Sequence, residues 1–278
     1  MSKKPTTADE IVADPRQGLE QLAAEADKPN VSPGTRNRLR AELSKVVEEL
    51  GRLLMVLDPI RQPTSVFDPG NPKVVGRFIA LALVAQPLHP LAEIGRFYGA
   101  GVYTIYYRGA FPFYEKLSRS ETPIYVGQAS PAINNARTPV EQGDKLCRRL
   151  DEHRKNIGKA TGTLDIGDFA FRSLVVQSGW ETAAEDYLIH LFRPIWNNET
   201  RILYGLGKHG DDPKVRSNKR SPWDTLHPGR LWAAGSNLSD SKTTERILEQ
   251  LDAHFATYPV FSDLNSVLVG FIEELRQI

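Results

Sequence analysis

Tyr103 and Tyr125 each sit in a short run of β-branched and aromatic residues that touches a glycine, residues 102–107 and 124–126. Runs of this kind, separated by a charged, proline-containing segment, read as neighbouring antiparallel strands joined by a long hairpin connection, which brings the two phenols close together. Farther along, Leu146, Arg149, Leu150 and His153 follow the spacing i, i+3, i+4, i+7, so an arginine and a histidine share one helical stripe with two leucines. Charges on an apolar stripe need a reason. Glu185 lies with Leu188, Ile189 and Phe192 on the inner face of another helix, where a carboxylate is costly to bury unless a metal or a cation compensates it. Asn197, after the helix-ending Arg193-Pro194, returns the chain over the same region.

The elements that must position these groups follow from periodicity and breakers. Residues 1–33 read as a polar, mobile arm with one short helix near 19–26, and a wide leucine and valine stripe predicts a helix over 35–57 that Asp58-Pro59 ends. Asn71-Pro72 supplies an N-cap followed by proline at the first helical position, predicting a largely buried helix to Gln86; Pro87, His89-Pro90 and Gly95 then break the chain. An irregular loop spans 128–143, helices are predicted over 144–156 and 180–192, and the alternation of Phe169, Phe171 and Leu174 predicts a third strand within 168–177. Residues 205–229 form a long segment bearing Lys208, His209, Lys214, Arg216, Lys219 and Arg220, either a DNA-contacting loop or a solvated one. Amphipathic helices over 242–255 and 262–277 complete the chain.

Composition sets limits. The 278 residues can bury a sizeable core, and a net charge of +1 gives no strongly basic footprint, although a balanced total can hide a one-sided distribution. The single Cys147 excludes a disulfide framework and a multi-cysteine zinc site; it reads as a small buried hydrophobe and fits a reducing cytoplasm. The N-terminus lacks the apolar stretch of a signal peptide, and the longest strongly apolar run, 78–85, is far short of the ~20 residues a membrane span needs.

Gly101-Val102-Tyr103 followed by Tyr125-Val126-Gly127 resembles the paired signature of the GIY-YIG nuclease superfamily, with valine for isoleucine in both triads. With Arg149, His153, Glu185 and Asn197 following in that order, the set resembles the superfamily's type II restriction endonucleases, in the group that cuts the palindrome CCGCGG. The resemblance covers roughly residues 100–200, and the flanking DPGNPKVVGRFIALALVAQPL and SPWDTLHPGR also look like that group. It implies an α/β (α+β) fold: a small three-stranded antiparallel sheet flanked by helices in a catalytic core over 99–200, an N-terminal arm with helices over 1–98, and a basic loop with C-terminal helices over 201–278.

The resemblance further implies a cytoplasmic, site-specific deoxyribonuclease acting on double-stranded DNA, with no nucleotide cofactor. Glu185 would bind one Mg²⁺, with Mn²⁺ able to substitute, since magnesium commonly takes only one or two carboxylates. Tyr103 would act as general base, Tyr125 would hydrogen-bond the phosphate or the water, Arg149 would stabilise the phosphate's extra charge, His153 would support Tyr103 or the phosphate, and Asn197 would orient the site. Bringing a phenol from pKa ~10 close to neutrality requires roughly 3–4 kcal/mol of preferential phenolate stabilisation. Lys208, Lys214, Arg216, Lys219 and Arg220 are candidate DNA contacts, the last three able to reach guanine edges. Cutting both strands of a palindrome predicts a two-fold homodimer, with the N-terminal helices as candidate dimerisation elements.

Singly, each site residue has a structural reading. The tyrosines are ordinary strand residues, Arg149 can pair with a surface carboxylate, His153 can cap its helix, Glu185 can accept from a nearby cation, and Asn197 can be a turn residue. Their joint order favours the functional reading. A PD-(D/E)xK nuclease fits poorly, because Asp212-Pro213-Lys214 and Asp240-Ser241-Lys242 fall in a loop and at a helix start. The alternatives left are a GIY-YIG repair or homing nuclease and an inert DNA-binding protein on the same fold.

Overall fold

The computed structural model describes residues 8–26, 28, 32–58, 60, 66–207, 219–235 and 238–275. The chain divides into two compact units, Met1–Val66 and Phe67–Ile278. In the first, α1 (Ala8–Ala26) is longer than the short helix expected there, and α2 (Pro33–Leu57) matches its leucine stripe closely. Ser32 caps α2 by accepting from the Thr35 amide at 3.2 Å, and Pro33 follows at the first turn, where a missing N–H costs nothing. Ala26, Leu39, Leu43 and Val47 line a groove between the two helices.

The second unit is built on a four-stranded antiparallel sheet in the order β1-β4-β2-β3: β1 (His89–Pro90), β2 (Gly101–Tyr107), β3 (Tyr125–Ala129) and β4 (Phe169–Val175). The three expected strands are present, with β3 extending to Ala129 because its last residues pair with Gly101 and Val102. The fourth is a correction to the three-stranded expectation. It consists of two residues pairing with Phe171 and Ala170, is too short to carry an alternation, and contains a proline that only an edge position tolerates.

β2 is central, and all seven of its residues are buried. Period-2 alternation divides them between two cores. Tyr103, Ile105 and Tyr107 join Leu146 and Leu150 of α5 (Lys145–Ile157) together with Trp196 and Trp223 on one face. Val102 and, from β3, Val126 join the other face, made by α3 (Pro72–Val84), α6 (Glu181–Phe192) and α9 (Leu264–Leu275). Asn71 caps α3 as expected, its side chain accepting from Lys73 N at 2.9 Å. Gly76 lets α3 approach α6, since a Cβ there would lie 2.4 Å from Ala183 O.

The short α4 (Pro139–Gln142) interrupts the loop after β3. Part of the segment expected as a long loop is structured: β5 (Lys219–Arg220) pairs in parallel with β6 (Ser239–Asp240), and α7 (Pro222–Leu226) is largely buried. α8 (Thr244–Thr257) packs beside α7 and against the segment preceding β3. Cys147 is buried in α5, as expected. No helix among the described residues is long and apolar enough to cross a membrane.

Candidate active site

The two glycines of the paired triads have steric causes. Gly101 sits at φ +151°, and a Cβ there would lie 2.1 Å from Leu174 O on the neighbouring strand. A Cβ on Gly127 would lie 2.4 Å from the Tyr103 hydroxyl, which the strand register places directly opposite. Glycine at 127 therefore makes the space that the Tyr103 phenol occupies.

Tyr103 is fully buried, and its hydroxyl is 2.7 Å from His153 Nε2 on α5. Tyr125 completes a three-ring cluster, with centroids 6.1 Å from Tyr103 and 4.7 Å from His153. Burial, reinforced by Tyr125 alongside, pushes the Tyr103 pKa well above its ordinary value, Arg149 pulls it down and Glu185 adds to the rise. Tyr125 is raised by burial and lowered by Arg149. Burial, with Arg149 adding to it, drops His153 to about 3, so the imidazole is neutral at neutral pH. The neutral ring meets the Tyr103 hydroxyl through Nε2, and Nδ1 is buried with no hydrogen-bond partner among the described residues.

Arg149, half-buried, donates to Glu152 at 2.9 Å while acting electrostatically on both phenols. Glu185 approaches the same cluster from α6. Burial, followed by the charges of Glu199 and Asp186, raises its pKa to about 7, and hydrogen bonds from Gln128 draw it back. Gln128 directly follows the second triad, and its side-chain amide also donates to Thr182 at 3.2 Å. Asn197 acts differently from a substrate contact. Its amide exchanges two hydrogen bonds with Val126, accepting from N and donating to O, both at 2.9 Å, and so clamps the free edge of β3 as an extra strand would.

The six sequence-selected residues thus converge on one place from β2, β3, α5, α6 and the turn after α6. Of the candidate DNA contacts, Lys208, Lys214 and Arg216 lie outside the described residues. Lys219 is exposed, whereas Arg220 donates to Ala233 O at 2.8 Å and pairs with Asp240 at 3.0 Å.

Sequence reading missed Gln128, Glu152 and Glu199, for which side-chain spacing gave no signal. It also missed a buried polar layer within the quoted motif SPWDTLHPGR. There Arg230 pairs with Asp224 at 2.6 Å and donates to the carbonyls of Gly205 and Leu206 at 2.8 and 3.3 Å. Beside it a relay runs from Trp196 Nε1 to the Tyr114 hydroxyl at 3.0 Å, from that hydroxyl to His227 Nε2, and from His227 Nδ1 to Thr163 at 2.9 Å. The pairing of strand tyrosines with a helix histidine and arginine, opposite a helix glutamate, defines a GIY-YIG nuclease.

A family profile described as the Eco29kI GIY-YIG domain matches residues 95–255, more than half of the chain. The chain belongs to this family of GIY-YIG nucleases, a CCGCGG-cutting restriction enzyme family acting on DNA. No curated protein matches it.

Proposed function

We propose that the chain is a type II restriction endonuclease that hydrolyses both strands of a palindromic site, CCGCGG, using Tyr103 as general base. The observation that carries this reading is the 2.7 Å contact between the Tyr103 hydroxyl and a neutral His153 in the same cluster as Arg149 and Glu185. Tyr103 takes the proton from the attacking water as a phenolate, which Arg149 stabilises against the burial that raises its pKa and which a bound ion would stabilise further, while His153 Nε2 holds the hydroxyl in place. Tyr125 hydrogen-bonds the phosphate, and Arg149 exchanges its exposed contact with Glu152 for the phosphate oxygens as charge develops there. Asn197 holds β3, and with it Tyr125, in place.

GIY-YIG nucleases use divalent metal ions. Among the described residues no cluster of three or more ligating side chains exists, but Glu185 makes no ion pair, and Glu199 and Asp186 add negative charge around it. That donor set suits a hard dication taking one carboxylate and leaving its other positions to water and substrate, as Mg²⁺ does, with Mn²⁺ as a substitute. When bound, the ion supplies Lewis-acid neutralisation of the phosphate charge. A palindromic target implies a two-fold homodimer, for which the exposed apolar residues Leu53, Leu54 and Leu57 of α2 offer a surface. Lys219 and the basic segment before it are the candidate groove contacts, in an enzyme of the reducing cytoplasm.

Digestion of a plasmid with one CCGCGG site, with and without Mg²⁺, tests this reading with wild type and Glu185→Ala side by side. The expected result is discrete metal-dependent fragments that vanish in the variant while DNA binding persists. Discrete cutting elsewhere would discard the specificity, and absence of cutting by folded wild type would leave an inert DNA-binding protein.

A further inference from the structure

A cleft of about 240 Å³ runs from the catalytic cluster along the C-terminal half of α5, between that helix and Gly207. Arg149 and His153 form its inner end, and Lys155, Asn156 and Lys159 continue it outward. Three cations line it against one carboxylate, Glu152, which is already engaged by Arg149. The volume falls below the ~300–1,000 Å³ of pockets that enclose organic small molecules, and suits a compact anionic group with its water.

The far wall is held firmly. Leu206 O accepts from Asn156 Nδ2 at 3.2 Å and from Arg230, whose guanidinium is locked by the buried Asp224. Gly207 packs closely on Arg149, a Cβ there lying 3.3 Å from Nη2. At the inner end, His153 Nδ1 is buried with no hydrogen-bond partner among the described residues. Among the described residues, Lys155 pairs only with Asp151 at 2.7 Å, an interaction that is weak in solvent, and Lys159 bonds only Asn156 at 3.4 Å.

We propose that this cleft binds a phosphodiester of the DNA strand flanking the scissile one, held by Lys155 and Lys159. Asn156 lies seven residues beyond Arg149, ~10 Å farther along a helix that rises ~1.5 Å per residue, so the phosphate here is a neighbour of the one Arg149 holds.

The inference rests on the nuclease reading, and the test separates the two. Binding of a fluorescent duplex containing CCGCGG, and of one lacking it, is measured without divalent metal over a salt series for wild type and for Lys155→Gln/Lys159→Gln. Both side chains are exposed, so the double variant folds. Loss of one phosphate contact lowers the slope of log K against log[salt] by ~0.9, equally on both duplexes. A neutral methylphosphonate is then walked along the strand. One position beside the cut should weaken wild type and leave the double variant unaffected, whereas a site for free phosphate ion would give a flat scan. Unchanged slope or no coupled position overturns the cleft alone; wild type that binds no duplex at any salt overturns the nuclease reading and the cleft with it.

Discussion

Replacing His227 by glutamine should remove a defined part of the protein's acid sensitivity. The imidazole is fully buried among Phe111, Tyr114, Trp196 and Trp223, and burial lowers its pKa to about 3. Its polar partners fix the neutral ring. The Tyr114 hydroxyl accepts from Trp196 and so donates to Nε2, and Nδ1–H donates to Thr163, whose own hydroxyl turns to Ala160 O. Asp224, three residues before it, is occupied by Arg230 and Ser221, and burial alone accounts for the lowered pKa.

The unfolded chain takes up this proton near pH 6.5 and the folded one near 3, so the contribution to stability is complete above the unfolded value and lost as pH falls through that window. At pH 5 the loss spans 1.5 pH units at ~1.36 kcal/mol each, about 2 kcal/mol from this one residue. Urea unfolding in chelator at pH 7 and pH 5, followed by tryptophan fluorescence, gives the loss for wild type and for His227→Gln. Wild type should lose about 2 kcal/mol more than the variant, the remaining acid response being common to both. Equal losses would refute the assignment of a neutral buried ring, as would an NMR titration showing His227 protonated at pH 6.

Other outcomes follow from the same geometry. Tyr103→Phe should cut the cleavage rate by ~10²–10⁴-fold, the range for losing a general base, in a single-turnover assay at saturating DNA. Cleavage by wild type should rise with pH through the neutral range, because burial holds Tyr103 protonated; a rate that falls with pH would exclude the phenol as base. Asn197→Ala should lower stability by roughly 2–4 kcal/mol in denaturant unfolding, since it leaves the Val126 N–H and C=O without their partner. Gly127→Ala should reduce cleavage far more than it lowers the melting temperature, because its Cβ displaces the Tyr103 phenol; parallel losses in the two would contradict this.

Much of this architecture was legible in the sequence because its signals are local. A β-branched and aromatic run in 102–107 and alternation in 169–175 located strands, Asn71-Pro72 started α3, Arg193-Pro194 ended α6, and helical spacing put Arg149 with His153 and Glu185 with Leu188. Residue type and order were also enough to select six residues that the fold then brings together. The fourth strand was not legible, since two residues hold no period, nor was the order of the 219–230 segment, whose Pro and Gly content reads as loop while its buried ion pair organises it.

The sequence by itself determined which residues are the candidates for chemistry and which elements bear them, because propensity and period act over a few neighbouring residues. Only the tertiary structure decided their protonation and their partners. The neutral state of His153, the raised pKa of Glu185, the turn of Asn197 onto Val126 and the cleft beyond Arg149 depend on solvent exclusion and on charges and carbonyls that arrive from distant segments. Burial and long-range contact set these energies, and neither is encoded in the spacing of the residues that experience them.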